Sequence, residues 1–279
     1  NVILPRKRDY TCAGNEFKAA MLEVYSTEYE GAYRDTLKTG LFFDVGVYDL
    51  SSAYPQMISD FCLDPANLSS TEGLQINIKS RVDEKLQNTY YFKQDTNTIL
   101  PRTIKKLLIL KDELKLKSKE NDEGKLRYTA IKSIVNSAYG VIGNRFFRLF
   151  SRPVAETTTF LVRDLLKYVR DAANKKGYEV IYVDTDSVMC LDNGKNISQE
   201  LNFFVQQWAK EKFGKTSSIS FEYEGSFEKL LLMSKCHYYG YLRGKVKPEI
   251  KGIEVKRSSS SKYEAKFQEA LINKVLNYE

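Results

Sequence analysis

Two carboxylates two residues apart, in Tyr182-Val183-Asp184-Thr185-Asp186-Ser187, constrain this chain more than any other stretch of it. Gly177-Tyr178-Glu179-Val180-Ile181 precedes them and Val188-Met189-Cys190-Leu191 follows, both rich in β-branched and aromatic residues. Such flanks predict two strands, with Asp-Thr-Asp as the turn between them. Carboxylates at a hairpin tip repel one another unless a cation lies between them, and hard oxygen donors on a compact site suit Mg²⁺. Aspartate also favours turns for backbone reasons alone, so the pair takes chemical meaning only from its company.

That company begins with Asp49-Leu50-Ser51-Ser52-Ala53-Tyr54-Pro55, which follows the strand-like run Leu41 to Tyr48 and puts a third carboxylate at a strand end. Further on comes Lys132-Ser133-Ile134-Val135-Asn136-Ser137-Ala138-Tyr139-Gly140. These three stretches resemble the motifs of family B DNA polymerases: Asp-x-x-Ser-Leu-Tyr-Pro, Lys-x-x-x-Asn-Ser-x-Tyr-Gly and Tyr-x-Asp-Thr-Asp-Ser, in that order. The third motif alone has five fixed positions. At roughly 5% usage per residue type, a chance match in a chain of this size is on the order of one in ten thousand.

The resemblance implies an α+β fold: a polymerase palm (an antiparallel sheet backed by helices), a two-helix fingers hairpin and the start of a thumb. The implied division is an N-terminal linker and template-contact segment at 1–35, palm at 36–98, fingers at 99–142, palm with the catalytic hairpin at 143–256, and the first part of a thumb at 257–279. The implied activity is template-directed addition of dNTPs to a primer 3′-hydroxyl. Only 48 residues precede Asp49, so an exonuclease domain and proofreading are not expected in this chain, and what resembles the start of a thumb stops at Glu279, so most of the thumb is not expected either. Separate chains supplying those parts are an alternative, as is a non-catalytic DNA-binding subunit descended from a polymerase. The intervals 58–101 and 140–182 are short for a protein-primed member, which points to primer–template DNA.

Roles carry over residue by residue. Asp49 and Asp186 match the family's bridging ligands for two Mg²⁺ ions, with Mn²⁺ as an alternative. Asp184 matches the third carboxylate of the metal site, near the primer-side ion, and Leu50 would lend a backbone carbonyl to it. Lys132 heads the second motif as a catalytic cation. Ser52, Ala53, Tyr54, Lys111, Lys115, Lys132 and Asn136 match the nucleotide site, with Tyr54 as the gate that leaves no room for a 2′-hydroxyl. Lys111 stands where the family usually has Arg, which keeps the charge and loses the bidentate fork. DNA contacts fall on Tyr29 and Gly31 (in Tyr29-Glu30-Gly31-Ala32), Tyr139, Gly140 and Thr185. They continue through Lys235 and Tyr238 (in Lys235-Cys236-His237-Tyr238), Lys251, Gly252 and Arg257. Glu224 is a further candidate carboxylate.

Composition agrees with this. A net charge of +7 suits a polyanion partner. No run approaches the ~18–20 apolar residues of a membrane span, so no membrane partner is expected. Scattered cysteines read as free thiols in a reducing compartment, and no secretory signal opens the chain, so an intracellular protein (cytoplasm, nucleoid or nucleus, or a host cell if viral) is expected. Cys12, Cys62, Cys190 and Cys236 are scattered and His237 is the only histidine, which argues against zinc and against a histidine base.

Periodicity predicts the helices. Pro101 opens one whose apolar stripe is Ile104, Leu107, Leu108 and Leu114. Asn121-Asp122-Glu123-Gly124 reads as a tip, and a second helix follows from about Lys125 to Tyr139 with Leu126, Ile131, Ile134 and Val135 inward. Further helices are expected at 16–25, 157–175 and 198–213, the last with Leu201, Val205 and Trp208 in the core.

Overall fold

The computed structural model describes residues 29–80, 84–144, 146–147, 149–253 and 261–276. The predicted helix at 16–25, the basic cluster Arg6-Lys7-Arg8, Cys12 and Arg257 lie outside the described residues. In chain order the elements are β1 (Arg34–Thr36), β2 (Gly40–Leu50), α1 (Ala53–Asp60), β3 (Leu68–Ser69), β4 (Leu74–Lys79), β5 (Leu86–Phe92), α2 (Ile99–Lys117), α3 (Asp122–Ile142) and α4 (Arg152–Lys175). They continue with β6 (Glu179–Asp184), β7 (Ser187–Leu191), α5 (Ser198–Phe213), β8 (Phe221–Ser234), β9 (His237–Leu242), β10 (Glu249–Lys251) and α6 (Lys262–Leu276). No helix among the described residues is long and apolar enough to cross a membrane. Cys62, Cys190 and Cys236 are free thiols.

The chain divides into two compact units, Asn1–Gly31 with Ser52–Val162 and Ala32–Ser51 with Arg163–Glu279. The second unit holds, among the described residues, a seven-stranded antiparallel sheet in the order β1-β6-β7-β2-β8-β9-β10. The latter part of β2 alternates between buried and wetter positions, whereas Val180–Asp184 of β6 and Val188–Cys190 of β7 are buried continuously. Val45, Tyr182, Met189, Phe227, Leu230 and Tyr238 fill one cluster, and Tyr239, Ile253, Ile272 and Leu276 fill another that seats α6. On α5 the predicted stripe of Leu201, Val205 and Trp208 is fully buried, and the indole N–H of Trp208 donates to Asp164 at 2.7 Å.

Strand β2 is the hub, pairing with β7 on one side and β8 on the other. The β2–β8 ladder contains a bulge: Val47 faces Gly225 and Tyr48 faces Tyr223, so Glu224 is the extra residue. At the end of β10, Gly252 has φ 68°, and a Cβ there would lie 2.0 Å from the Cys236 carbonyl oxygen. Gly252→Ala is therefore expected to destabilise the fold by about 1–3 kcal/mol, read as a lower urea midpoint with an unchanged slope.

The first unit packs α1, α2 and α3, and carries a small antiparallel sheet in the order β3-β5-β4. The buried face of α2 is Pro101, Ile104, Leu108 and Lys111. A lysine thus occupies the stripe, and Leu107 and Leu114 are only half-buried. Helix α3 begins three residues earlier than predicted. Asn121 caps it, its Oδ1 accepting from the Gly124 N–H at 2.7 Å. Gly124 lies at the close approach of the two helices, where a Cβ would be 2.4 Å from the Lys117 carbonyl oxygen. Ile131, Val135 and Ile142 are buried on α3, whereas Leu126 and Ile134 are exposed, against expectation. Ile134 is one residue from Val135, about 100° around the helix, which carries it off the contact face.

Candidate active site

Cross-strand register assembles the acidic residues. Arg34 on β1 faces Asp184 on β6, and Asp184 faces Ser187 on β7. Ser187 faces Asp49 on β2, and Asp49 faces Glu222 on β8. Directly opposed residues in an antiparallel sheet share a face. One transverse row therefore reads Arg34, Asp184, Ser187, Asp49, Glu222, with Asp49 and Asp184 about 10 Å apart at Cα. Asp186 joins from the hairpin turn, where Thr185 adopts φ 61°. The Leu50 N–H donates to the Asp186 carbonyl at 2.8 Å, which ties the hairpin tip to the end of β2. Three acidic stretches separated by up to 173 positions thus meet on one sheet face.

Their electrostatics diverge. Asp184 is 4% exposed. Its Oδ1 lies 2.7 Å from the Arg34 Nε and accepts from the Thr185 hydroxyl at 3.1 Å, while Oδ2 accepts from the Lys251 ammonium. Burial alone would raise this carboxyl, but the hydrogen bond and charge of Lys251, with the charge of Arg34, hold it below the usual carboxylate range. Asp186 is pushed the other way, first by burial and then by the negative charge of Asp184. The Lys251 ammonium also lies 5.9 Å from the ring centroid of Tyr238. Tyr238 is 4% exposed and its hydroxyl donates to Glu249 at 2.9 Å. Lys235 is exposed in the β8–β9 turn.

Two residues of this row escape sequence reasoning. Arg34 carries no motif, and only the β1–β6 pairing reveals it. The carboxylate opposite Asp49 is Glu222, whereas Glu224 is exposed in the bulge. Alternation along β8 narrows the choice to those two, and the register decides it. Among the described residues no three His, Cys, Asp or Glu side chains are gathered as a ready metal cage. The donor chemistry fits a hard divalent cation, because the row offers carboxylate oxygens, of which those of Asp184 are held by Arg34 and Lys251.

The first unit holds the remaining predicted residues. Ser52, at φ 50°, precedes α1 without capping it, and its Oγ accepts from the Lys111 ammonium at 2.9 Å. Lys111 is 5% exposed, its side chain enclosed in the packing of the first unit. Ala53 is buried in the first turn of α1 and Lys115 is half-buried one turn beyond Lys111. Lys132, Asn136 and Gly140 are exposed at four-residue spacing, hence on one face of α3. The rings of Tyr54 and Tyr139 stack, with centroids 4.5 Å apart and planes 22° apart. The Tyr139 hydroxyl shares a 3.1 Å hydrogen bond with that of Tyr29. Burial, then this bond, raises the Tyr139 phenol well above its ordinary value, so it stays protonated. Gly31, two residues beyond Tyr29, has open space where a Cβ would stand.

Comparison with known proteins matches residues 1–279 to the profile of DNA polymerase family B. The chain is 27% identical over 255 residues to the DNA polymerase alpha catalytic subunit of Mus musculus, covering 82% of this chain and 17% of that protein. It is 26% identical over 271 residues to DNA polymerase 1 of Sulfolobus acidocaldarius, covering 94% and 30% respectively. With DNA polymerase II of Escherichia coli it shares 27% identity over 269 residues, covering 89% and 33%. The chain thus spans a third or less of the length of these three relatives.

Proposed function

Because the chain belongs to DNA polymerase family B, we propose that it is the catalytic part of a template-directed DNA polymerase, extending a primer 3′-hydroxyl with dNTPs by two-metal phosphoryl transfer. The observation that carries this reading is the transverse row, which joins the carboxylate of the first motif to the hairpin of the third through consecutive strand pairings. On this reading the seven-stranded sheet belongs to the palm, α2 and α3 are the fingers, and α6 opens the thumb.

Asp49 and Asp186, with the Leu50 carbonyl, would hold two Mg²⁺ (or Mn²⁺) ions, which supply Lewis-acid stabilisation of the attacking and leaving oxygens. Asp184 anchors Arg34 and Lys251 and so keeps positive charge beside that pair. Phosphoryl transfer depends mainly on positioning and charge neutralisation. Lys111, Lys115 and Lys132 neutralise the triphosphate, and the backbone N–H groups at Ser52 and Ala53, at the start of α1, bind its oxygens. Tyr54 closes the space beside the sugar. Asn136, Tyr139 and Gly140 abut the nascent base pair. Tyr29, Gly31, Thr185, Lys235, Tyr238, Lys251, Gly252 and Arg257 hold the primer and template.

Primer extension with Mg²⁺, by this chain alone and with any co-purifying partner, is the direct test. Incorporation by the chain alone is the expected result. DNA binding without incorporation, even at high enzyme concentration, would favour a split enzyme. DNA affinity should also fall steeply between 50 and 200 mM salt, by about 10³ for six phosphate contacts, through counterion release; a flat response in fluorescence anisotropy would argue against phosphate gripping.

A further inference from the structure

Arg34 ends the acidic row on the edge strand β1 and matches none of the three motifs. Its stem is pinned. Nε lies 2.7 Å from Oδ1 of Asp184 and donates to the Thr185 hydroxyl at 3.1 Å, while that hydroxyl donates to the same Oδ1 at 3.1 Å. Three groups thus close a triangle on the β6–β7 hairpin. The Arg34 side chain is nevertheless 45% exposed, and among the described residues neither terminal amino group of its guanidinium makes a hydrogen bond. An exposed arginine ordinarily loses rotamer freedom when it binds. Here the brace has already fixed it, with the donor fork turned outward.

Other cations gather at the same hairpin. Lys251 reaches Oδ2 of Asp184 from β10, the strand at the opposite edge of the sheet. The turn that carries Lys235 is tied to β6 as well, because the Cys236 N–H donates to the Tyr182 hydroxyl at 3.1 Å. Asp184 balances only one of these charges. The cluster therefore favours an anion from outside, and a guanidinium fork matches the paired oxygens of a phosphate.

We propose that Arg34 grips a phosphodiester of the primer strand near its 3′ end, with Asp184 and Thr185 as its brace. The proposal rests on the polymerase reading above and deepens it, adding a contact from a strand outside the motifs. Thr185, Lys235 and Lys251, its neighbours, are those assigned above to DNA, whereas the lysines assigned to the triphosphate belong to the first unit. Three strand pairings separate Arg34 from Asp49, about 15 Å at Cα. At about 3.4 Å of axial advance per nucleotide, that span limits the contact to about the last four linkages.

The test uses the full chain and a primer–template in which each of the last four primer linkages is made an uncharged methylphosphonate in turn. Fluorescence anisotropy reads the binding. Neutralising one linkage should weaken wild-type binding by about tenfold, the scale of a hydrogen bond to a charged group. Arg34→Gln should weaken binding of the unmodified duplex by a similar factor, become indifferent to that linkage, and lower the log–log salt slope by about one. Arg34→Lys keeps a charge beside Asp184 and loses the fork, so about a threefold penalty should remain; the outcome then does not hang on the folding of one variant. Lys38→Gln removes a neighbouring surface charge and should leave the full penalty in place. A wild-type chain that binds and extends the duplex but is indifferent to all four linkages would overturn the Arg34 assignment alone. So would a penalty undiminished in both Arg34 variants, or one abolished equally by Lys38→Gln. A raised KM for dNTP with unaltered DNA affinity in Arg34→Gln would also overturn it, by moving the residue to the triphosphate. A chain that fails to bind primer–template at all would overturn the polymerase reading and this proposal with it.

Discussion

Asp186→Asn is expected to cut nucleotide incorporation by about a thousandfold while raising the thermal midpoint at neutral pH. The first effect follows from losing one of the two ligands proposed for both ions: stabilisation of several kcal/mol, at 1.36 kcal/mol per tenfold in rate, reaches that scale. The second follows from the raised Asp186 carboxyl. A folded-state value above the unfolded one gives stability that is fully present below the unfolded pKa and is lost as pH rises through the folded pKa. At pH 7 the ionised Asp186 thus burdens the metal-free fold, and the neutral amide relieves it. Thermal melts in chelator should show the variant ahead at pH 7, with the gap closing towards pH 4. Single-turnover incorporation on the same samples gives the other half. Unchanged turnover would remove Asp186 from the ion site, and a lower midpoint at pH 7 would contradict its electrostatic description.

Tyr54→Ala should lower discrimination against ribonucleotides by about a hundredfold, the scale on which a pocket wall rejects an added hydroxyl. Tyr54 is not a loose ring. It lies nearly parallel to Tyr139, which Tyr29 holds by its hydroxyl. A braced aromatic wall yields little to a 2′-hydroxyl, because moving it means breaking the stack. Tyr54→Phe keeps the ring and should keep the selectivity. The measurement is the ratio of kcat/KM for a dNTP to that for the matching NTP. A ratio unaltered in Tyr54→Ala would refute the gate.

The sequence already shows the hairpin at 184–187, the strand ending near Asp49 and the helix at 198–213, because each depends on a local pattern of two or three to four residues. What it hides depends on pairing between distant segments. Glu222 and Glu224 are equivalent by alternation, and only the β2–β8 register tells them apart. Arg34 has no local signature, and its partnership with Asp184 exists only through the β1–β6 ladder. Leu126 and Ile134 look like core by hydrophobicity, yet the contact face of α3 follows Gly124 and Val135. Lys111 resembles its exposed neighbours Lys105 and Lys106 in sequence, and only the packing of α2 buries it.

The bulge at Glu224 makes the acidic row sensitive to spacing more than to side-chain identity. On either side of that extra residue, β8 alternates with opposite phase relative to β2. Substitutions at the exposed Glu224 should therefore pass almost unnoticed. A single-residue insertion between 221 and 223 would instead turn the carboxylate facing Asp49 to the opposite side of the sheet. Directed evolution of this segment should accordingly yield many point variants and very few length variants that keep the acidic row intact.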